Sequence, residues 1–261
     1  MPTSSSQGGD LSLLTDGSFS YNPPAGFTGN DSFSYQVGDD GIPGSACSSA
    51  VTVNLTVSDR IWFIDNNLGA VGDGRLTSPF NSLAAFEAIN GNGGATDPGS
   101  GDSIFVYTGS GSYTGGLTLE ASQVLVGQGA GGSLSAISGI TPATHSDALP
   151  VTGGTSPAIV NAAGNGIVLA ANNKLHGLSV GDTSGIGLEG SGFGSLEVRD
   201  MSILGAGRVL SLASGSVDAV FASLSTSNAT GAGISLEHAP RAAKAACTVI
   251  DNTSAFRLDD E

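Results

Sequence analysis

Residues 174–226 read KLHGLSVGDTSGIGLEGSGFGSLEVRDMSILGAGRVLSLASGSVDAVFASLST, and this stretch decides the fold. Its apolar residues return at a fixed interval. Columns spaced by 23 residues are Leu175, Val198 and Phe221; Leu178, Met201, Leu224 and Cys247; and Val180, Ile203, Thr226 and Val249. Columns spaced by 24 residues are Ile186, Leu210 and Ile234; and Leu188, Leu212 and Leu236. A self-similar period of this length indicates a solenoid of stacked repeats.

Two or three short strands fit into one such period, with glycine and polar residues at the breaks. Strands of successive coils would stack about 4.8 Å apart and enclose a continuous apolar interior. Leucine-rich repeats share the period, but they need a helical arc and an Asn-bearing consensus, and the sequence has neither. The predicted fold class is therefore all-β, a single-stranded parallel β-helix.

The segment before the repeats changes character at Arg60. It reads RIWFIDNNLGAVGDGRLTSPFNSLAAFEAIN and is soon followed by GDSIFVYTGSGSYTGGLTLEASQVLVGQG. Leu83, Phe86 and Ile89 recur at helical spacing, and residues 104–107, 117–119 and 124–126 form short apolar runs. This order resembles the entry to a right-handed parallel β-helix of the pectin-lyase-like type, with a short N-terminal cap helix. Residues 129–154, rich in Gly, Ser and Thr, are expected to form a loop that bulges from one coil.

Residues 10–57 alternate apolar and polar side chains between Gly- and Asn-rich turns, a pattern of half-buried antiparallel strands. The run DGSFSYNPPAGFTGNDSFSYQVGDD, followed by SSAVTVNLTV, resembles the C-terminal half of bacterial cadherin-like, immunoglobulin-type repeats. A complete sandwich of that kind needs about 100 residues. We therefore expect a partial β-sandwich over 1–58 and a parallel β-helix over 59–261, the latter truncated at its C-terminus. The resemblance implies a large bacterial protein that is extracellular or on the cell surface.

Composition excludes several classes of protein. The chain has 23 acidic and 8 basic residues, for a net charge of −15, and 39% of its residues are hydrophobic. That apolar content is sufficient for a folded core. Only Arg60 and Arg75 are basic before Lys174, so a nucleic-acid partner is not expected. Nor does any stretch reach the roughly 18 apolar residues of a membrane span.

The two cysteines, Cys47 and Cys247, are 200 residues apart and fall in different expected domains. We expect no disulfide between them.

An enzyme of this fold would present stacked acids, a basic residue and aromatic residues on the outer side of one sheet. The constant period places Lys174, Glu197 and Val220 in one outward column, with His176, Arg199 and Ala222 in another. It also gives a hydroxyl column of Ser179, Ser202, Ser225 and Thr248. Lys174 and Glu197 are read as a surface ion pair, and Asp182, Asp200 and Asp218 as turn residues. No catalytic residue and no bound cofactor are predicted.

Asp65, Asn66, Asn67, Asp73 and Gly74 form the densest group of oxygen ligands. Hard oxygen ligands on Gly-rich loops suit Ca²⁺, so Asp65, Asn67 and Asp73 are weak calcium candidates. Asp39 and Asp40 form a smaller group in a turn of the sandwich. The competing interpretation is that these residues only shape turns.

The leading hypothesis is a structural or adhesive segment of a large bacterial surface protein, without an active site of its own. Its expected partners are carbohydrate or other surface ligands and neighbouring repeats of the same polypeptide. The rival hypothesis is a secreted carbohydrate-active enzyme, a polysaccharide lyase or glycoside hydrolase. An outer groove with at least two acids and an aromatic residue would favour the rival.

Overall fold

The computed structural model describes residues 2–39, 41, 46–143, 146–229, 231–237, 249–251 and 256–258, and only the backbone in the last two segments. The chain divides into two compact units, Met1–Arg60 and Ile61–Glu261. In the part of the chain that is described, no helix is both long enough and apolar enough to cross a membrane.

The N-terminal unit contains two antiparallel hairpins. Its strands are β1 (Asp10–Leu13), β2 (Phe19–Asn22), β3 (Gly29–Tyr35) and β4 (Val51–Val57). β1 pairs with β2 and β3 with β4, with Phe33 directly opposite Val53. The rings of Phe19 and Phe33 meet edge to face, with centroids 5.0 Å apart. The predicted antiparallel sheet at the start of the chain is thus confirmed.

A buried carboxylate ties the first residues of this unit to β3. Asp31 accepts hydrogen bonds from the Ser5 hydroxyl, from Ser6 Oγ at 2.9 Å and from Tyr21 Oη at 2.8 Å. Burial alone would raise the pKa of Asp31, but the hydrogen bonds from Ser5, Tyr21 and Ser6 hold it well below its ordinary value. Asp31 is therefore ionised at neutral pH and fixes the position of the N-terminal segment.

The second unit is a parallel β-solenoid of about six turns. Each complete coil contributes one strand to each of three sheets, which we call the first, second and third sheets. The first sheet contains β5 (Ile61–Ile64), β6 (Ser103–Val106), β9 (Val124–Gly127), β12 (Lys174–His176) and the middle parts of β14 (Leu188–Ala206) and β15 (Leu210–Ser227).

The other two sheets are built in the same way. The second sheet contains β7 (Ser112–Thr114), β10 (Ala158–Asn161), β13 (Ser179–Thr183), the last parts of β14 and β15, and β17 (Val249–Asp251). The third contains β8 (Leu117–Thr118), β11 (Ile167–Val168), the first parts of β14 and β15, β16 (Ile234–Glu237) and β18 (Phe256–Leu258). Every pairing in these sheets is parallel, which confirms the predicted fold class.

Most of the predicted core residues that the structure describes are buried, with Ile186 and Leu236 half-buried, but part of the predicted register is wrong. Leu175 lies beside Val198, as the period of 23 predicts. Val198, however, lies beside Ala219, and not beside Phe221. Further along the same strand, Leu224 lies beside Ile203, whereas the constant period predicts Leu224 beside Met201. The step from β14 to β15 is 21 residues in this region, because the turns between strands differ in length from coil to coil.

The third sheet shows the same effect. Leu210 lies beside Ile234, and Leu212 beside Leu236, as the period of 24 predicts. On its other side Leu210 meets Leu188, and not the predicted Ile186. The hydroxyl column is corrected in the same way: the pairing is Ser179 with Ser202 and Ser202 with Ser223, while Ser225 lies beside Leu204. Thr248 and Cys247 lie outside the described residues.

Two short helices accompany the strands. α1 (Leu83–Glu87) is the predicted cap helix, starting at the N-cap Ser82 and burying Leu83 and Phe86 in the solenoid core. α2 (Leu134–Ser138) lies where only a loop was expected. Ser133 caps its N-terminus through its hydroxyl and Gly139 ends it in the left-handed conformation, so a short turn of helix forms inside the insertion.

A ladder of buried polar side chains stands at the corner between the third and first sheets. Its members are Asp102, Gln123 and Asn173, each immediately before a strand of the first sheet. Asp102 accepts from Trp62 Nε1 at 2.9 Å, and Asn173 Nδ2 donates to the carbonyl of Gln123 at 3.2 Å. The amide of Gln123 bonds to backbone and side-chain partners of adjacent turns. Backbone N–H and C=O groups of the turns have no partner in the parallel sheets, and the side chains of the ladder supply hydrogen bonds to several of them.

Gly177 lies where the insertion packs on the solenoid, so a substitution there tests this packing. Its φ is +68°, and a Cβ there would lie 2.0 Å from the Ala130 nitrogen. Gly192 has a similar φ of +64°, but a Cβ there meets nothing within 4 Å. We expect Gly192→Ala to cost about 1–2 kcal/mol through backbone strain, and Gly177→Ala about 1–3 kcal/mol more through steric overlap.

Urea denaturation followed by circular dichroism gives both unfolding free energies. Equal losses in the two variants would mean that the insertion does not pack on Gly177.

Candidate functional site

The outer side of the first sheet changes from apolar to charged along the solenoid. In the early coils Phe105 and Val126 face outward into a second hydrophobic cluster, and Leu134 of α2 covers it. The insertion is held there by Asp200, whose Oδ2 accepts a hydrogen bond from the Gly131 nitrogen at 2.9 Å. From Lys174 onward the outward positions of this sheet are mostly charged.

Glu197 lies at the centre of the charged group. Its Oε2 is 3.8 Å from Lys174 Nζ, and its Oε1 is 3.1 Å from His176 Nε2. Lys174 and Glu197 lie side by side in the register, so the predicted ion pair is confirmed. The His176 contact was not predicted, because the two residues are in different columns of the sheet.

Asp218 is the residue that sequence reasoning misplaced. The constant period set Val220 beside Glu197, whereas the structure sets Asp218 there. Asp218 Oδ2 is also 2.7 Å from Arg199 Nη2. Asp218 is therefore a strand residue on the outer side of β15 and not a turn residue, and two acids lie beside each other on adjacent coils.

A signal for this register was present in the sequence. Residues 194–198 read GSLEV and residues 215–219 read GSVDA, the same order of Gly, Ser, apolar, acid and apolar side chains at a spacing of 21. Comparing these short blocks, without imposing one period on the whole unit, pairs Glu197 with Asp218.

The other two predicted turn residues differ from each other. Asp200 has a positive φ of 53° and lies where the register between β14 and β15 shifts, so it marks an irregularity in the strand. Asp182 lies within β13, so the prediction that it is a turn residue is wrong.

A shallow depression opens beside these charges, with a volume of about 320 Å³. Its lining residues come from the same positions of three successive coils: Asn172, Asn173, Lys174, Ser195, Leu196, Glu197, Ser216, Val217 and Asp218. Asn172 Oδ1 accepts from both the nitrogen and the hydroxyl of Ser195, at 3.1 and 3.0 Å. No aromatic residue is among those that line the described part of this depression.

His176 is buried between Val126 and Arg199 in the strand order of the first sheet. Burial lowers the pKa of His176 below its ordinary value of 6.5; the nearby Glu197 carboxylate opposes this shift without cancelling it, and Arg199 adds to it. The imidazole is therefore neutral at pH 7 and donates its Nε2 hydrogen to Glu197.

This pKa shift predicts a pH dependence of stability. The unfolded chain binds the proton of His176 more tightly than the folded chain does. The contribution of the neutral imidazole is therefore complete above about pH 6.5 and is lost as the pH falls toward the folded-state pKa. One proton contributes at most about 1.4 kcal/mol per pH unit.

The measurement is the free energy of unfolding in urea from pH 7.5 to 5.5. His176→Gln keeps a hydrogen-bond donor but does not titrate, so its stability should fall less over this range. Parallel curves for the two proteins would contradict the buried, neutral state of His176.

The calcium candidates are engaged in local contacts. Asp65 Oδ1 accepts from the nitrogen of Asn67 at 3.0 Å, as in a simple Asx turn. Asp73 forms an ion pair with Arg75 Nη2 at 2.8 Å, while Asn66 accepts from the Ser110 nitrogen. Among the described residues, no three His, Cys, Asp or Glu side chains are grouped so that they could hold a metal ion. Calcium at Asp65, Asn67 and Asp73 remains a prediction, and Asp40 lies outside the described residues.

Cys47 is exposed and carries a free thiol. Because Cys247 lies outside the described residues, the predicted separation of the two cysteines stays a prediction.

Comparison with known proteins gives two partial matches. Residues 2–56 match the family model of a bacterial Ig domain, in agreement with the immunoglobulin-type resemblance of this segment. Residues 207–261 match the NAD-binding domain of semialdehyde dehydrogenase. Neither match reaches half of the chain. No curated protein and no solved structure matches it.

The second match does not agree with the local structure. A dinucleotide site of this type needs a Gly-rich turn between a strand and a helix N-terminus. Residues 207–237, apart from the undescribed residue 230, instead contain β15 and β16, which pair in parallel with neighbouring coils, and no helix. The described part of the segment thus lacks the arrangement that binds a pyrophosphate.

Proposed function

We propose that this chain is a structural or adhesive segment of a large bacterial surface protein, and that it has no active site of its own. The observation that supports this most directly is the combination of a bacterial Ig domain match over residues 2–56 with a parallel β-solenoid in the second unit. Bacterial Ig domains are typical of surface or secreted proteins. In this proposal the Ig-type unit is a cadherin-like repeat, and the solenoid is pectin-lyase-like.

The solenoid supports a display role physically. Its core is continuous from coil to coil, and each coil is bonded through its backbone to its neighbours. Stability of such a unit is close to a sum of terms between neighbouring coils. Outward side chains therefore can vary with little effect on the core, and they can serve as a surface for ligands.

A test of this location uses intact cells of the source bacterium. An antibody against the chain should label unpermeabilised cells, and protease added outside the cells should remove that signal. A cytoplasmic protein in the same cells serves as the control and should stay unlabelled and intact. Labelling that requires permeabilised cells would contradict a surface location.

The rival hypothesis, a secreted carbohydrate-active enzyme, is favoured by one observation. Glu197 and Asp218 lie beside each other on adjacent coils, and paired carboxylates are the machinery of glycoside hydrolysis. Against it, both carboxylates already contact cationic or hydrogen-bonding side chains, and the depression beside them has no aromatic lining among the described residues.

The surface-segment hypothesis and the enzyme hypothesis differ in whether the chain cleaves a polysaccharide. The purified chain should release no reducing or unsaturated sugars from pectate, alginate or neutral polysaccharides, with or without Ca²⁺. The net charge of −15 also disfavours approach of polyanionic substrates. Release of sugars that is lost in Glu197→Gln or Asp218→Asn would establish the enzyme and refute the proposal. Glu189→Gln, on the third sheet, is the matched control.

A further inference from the structure

The depression on the first sheet has two polar sides. One side is a column of amide and hydroxyl groups, and the other is a column of charged groups. The first column is Asn172, Ser195 and Ser216, and the second is Lys174, Glu197 and Asp218. Between the two columns lie Asn173, Leu196 and Val217, of which Asn173 and Leu196 are buried and Val217 is half-buried.

The charged column has unused hydrogen-bonding capacity. Lys174 Nζ is 3.8 Å from Glu197, an ion-pair distance that is too long for a hydrogen bond. The Asp218 side chain is 69% exposed and accepts from Arg199 on one oxygen. A carboxylate offers about four acceptor sites, so both acids can accept further hydrogen bonds from a ligand.

The charges of this surface cancel locally. Lys174 and Arg199 balance Glu197 and Asp218. An anionic ligand would therefore gain no net local attraction and would be repelled by the overall charge of −15, and a cation would have to displace Lys174 or Arg199 from the carboxylates. An uncharged ligand with many hydroxyl groups avoids both costs.

We infer that this depression is a binding site for an uncharged oligosaccharide. The inference rests on the proposed adhesive function and assigns it a place and a class of ligand. Sugar hydroxyls donate to Glu197 and Asp218, Lys174 donates to a sugar oxygen, and the C–H groups of the ring contact the half-buried Val217. Because adjacent coils repeat these groups about 4.8 Å apart, successive sugar units meet similar partners.

The test uses the full chain and hexasaccharides of defined charge, measured by saturation-transfer NMR and calorimetry. The neutral probes are hexamers of glucose, xylose and N-acetylglucosamine. The charged probes are hexamers of glucosamine and galacturonic acid. At least one neutral probe should bind, and more tightly than either charged probe. Binding of no neutral probe, or tighter binding of a charged one, would overturn the inference.

Substitutions in the depression test whether binding occurs there. Glu197→Gln and Asp218→Asn should each weaken binding of the neutral probe about tenfold, the effect of one charge-assisted hydrogen bond. Ser216→Trp, at an exposed position on the rim, should block the depression without touching the core. Glu189→Gln on the third sheet should bind normally. Unchanged binding in Glu197→Gln and Ser216→Trp, both folded by circular dichroism, would overturn the site.

Failure of this inference is separable from failure of the proposed function. Surface labelling of intact cells without any oligosaccharide binding would leave the surface segment standing and remove only the binding site. Turnover of a polysaccharide that needs Glu197 would remove the proposed function itself.

Discussion

Each coil of the solenoid bonds its backbone to the coil before it and the coil after it, so an inward side chain in one coil must lie over an inward side chain in the next. This constraint fixes both sides of every strand at once. When Val198 is placed beside Ala219 in the interior, Glu197 must lie beside Asp218 outside. The register of the core residues therefore also determines which charged residues are neighbours on the outer surface.

The constraint applies to strands and leaves the turns free to vary. The steps between paired residues are 23 from Leu175 to Val198, 21 from Val198 to Ala219 and 24 from Leu210 to Ile234. Additional residues are absorbed at corners, where polar side chains such as Asn173 bond the turn backbone. The long insertion, described over residues 128–143 and 146–157, leaves the corner after β9 and packs on the outer side of the first sheet.

The sequence predicted the solenoid, the cap helix and most of the buried residues, because apolar repetition reports directly on a shared interior. The assumption of one constant period gave the wrong register for β15, since it hides changes in turn length of one or two residues that the blocks at 194–198 and 215–219 reveal. That small error moved Asp218 from the candidate site to a turn. The hydrogen bond between His176 and Glu197 was beyond sequence reasoning for another reason: it crosses diagonally between two columns and depends on side-chain conformation. Helix α2 was missed because the Gly-, Ser- and Thr-rich composition of residues 129–154 favoured a loop.

The contact between Gly131 and Asp200 has a consequence for the order of folding. Most neighbouring coils join residues that are 20 to 25 positions apart, so each of these coils closes a short loop on the coil before it. The pairs on either side of the cap helix or of the insertion are 42 to 50 positions apart. The Gly131–Asp200 hydrogen bond instead spans 69 residues. The insertion therefore gains this anchor only after the coil that carries Asp200 has formed, whereas the packing of Ala130 and Leu134 beside Phe105 and Val126 needs no later coil. During synthesis on the ribosome the insertion can thus shield the apolar outer side of the early coils before the later coils are made, which limits non-specific association.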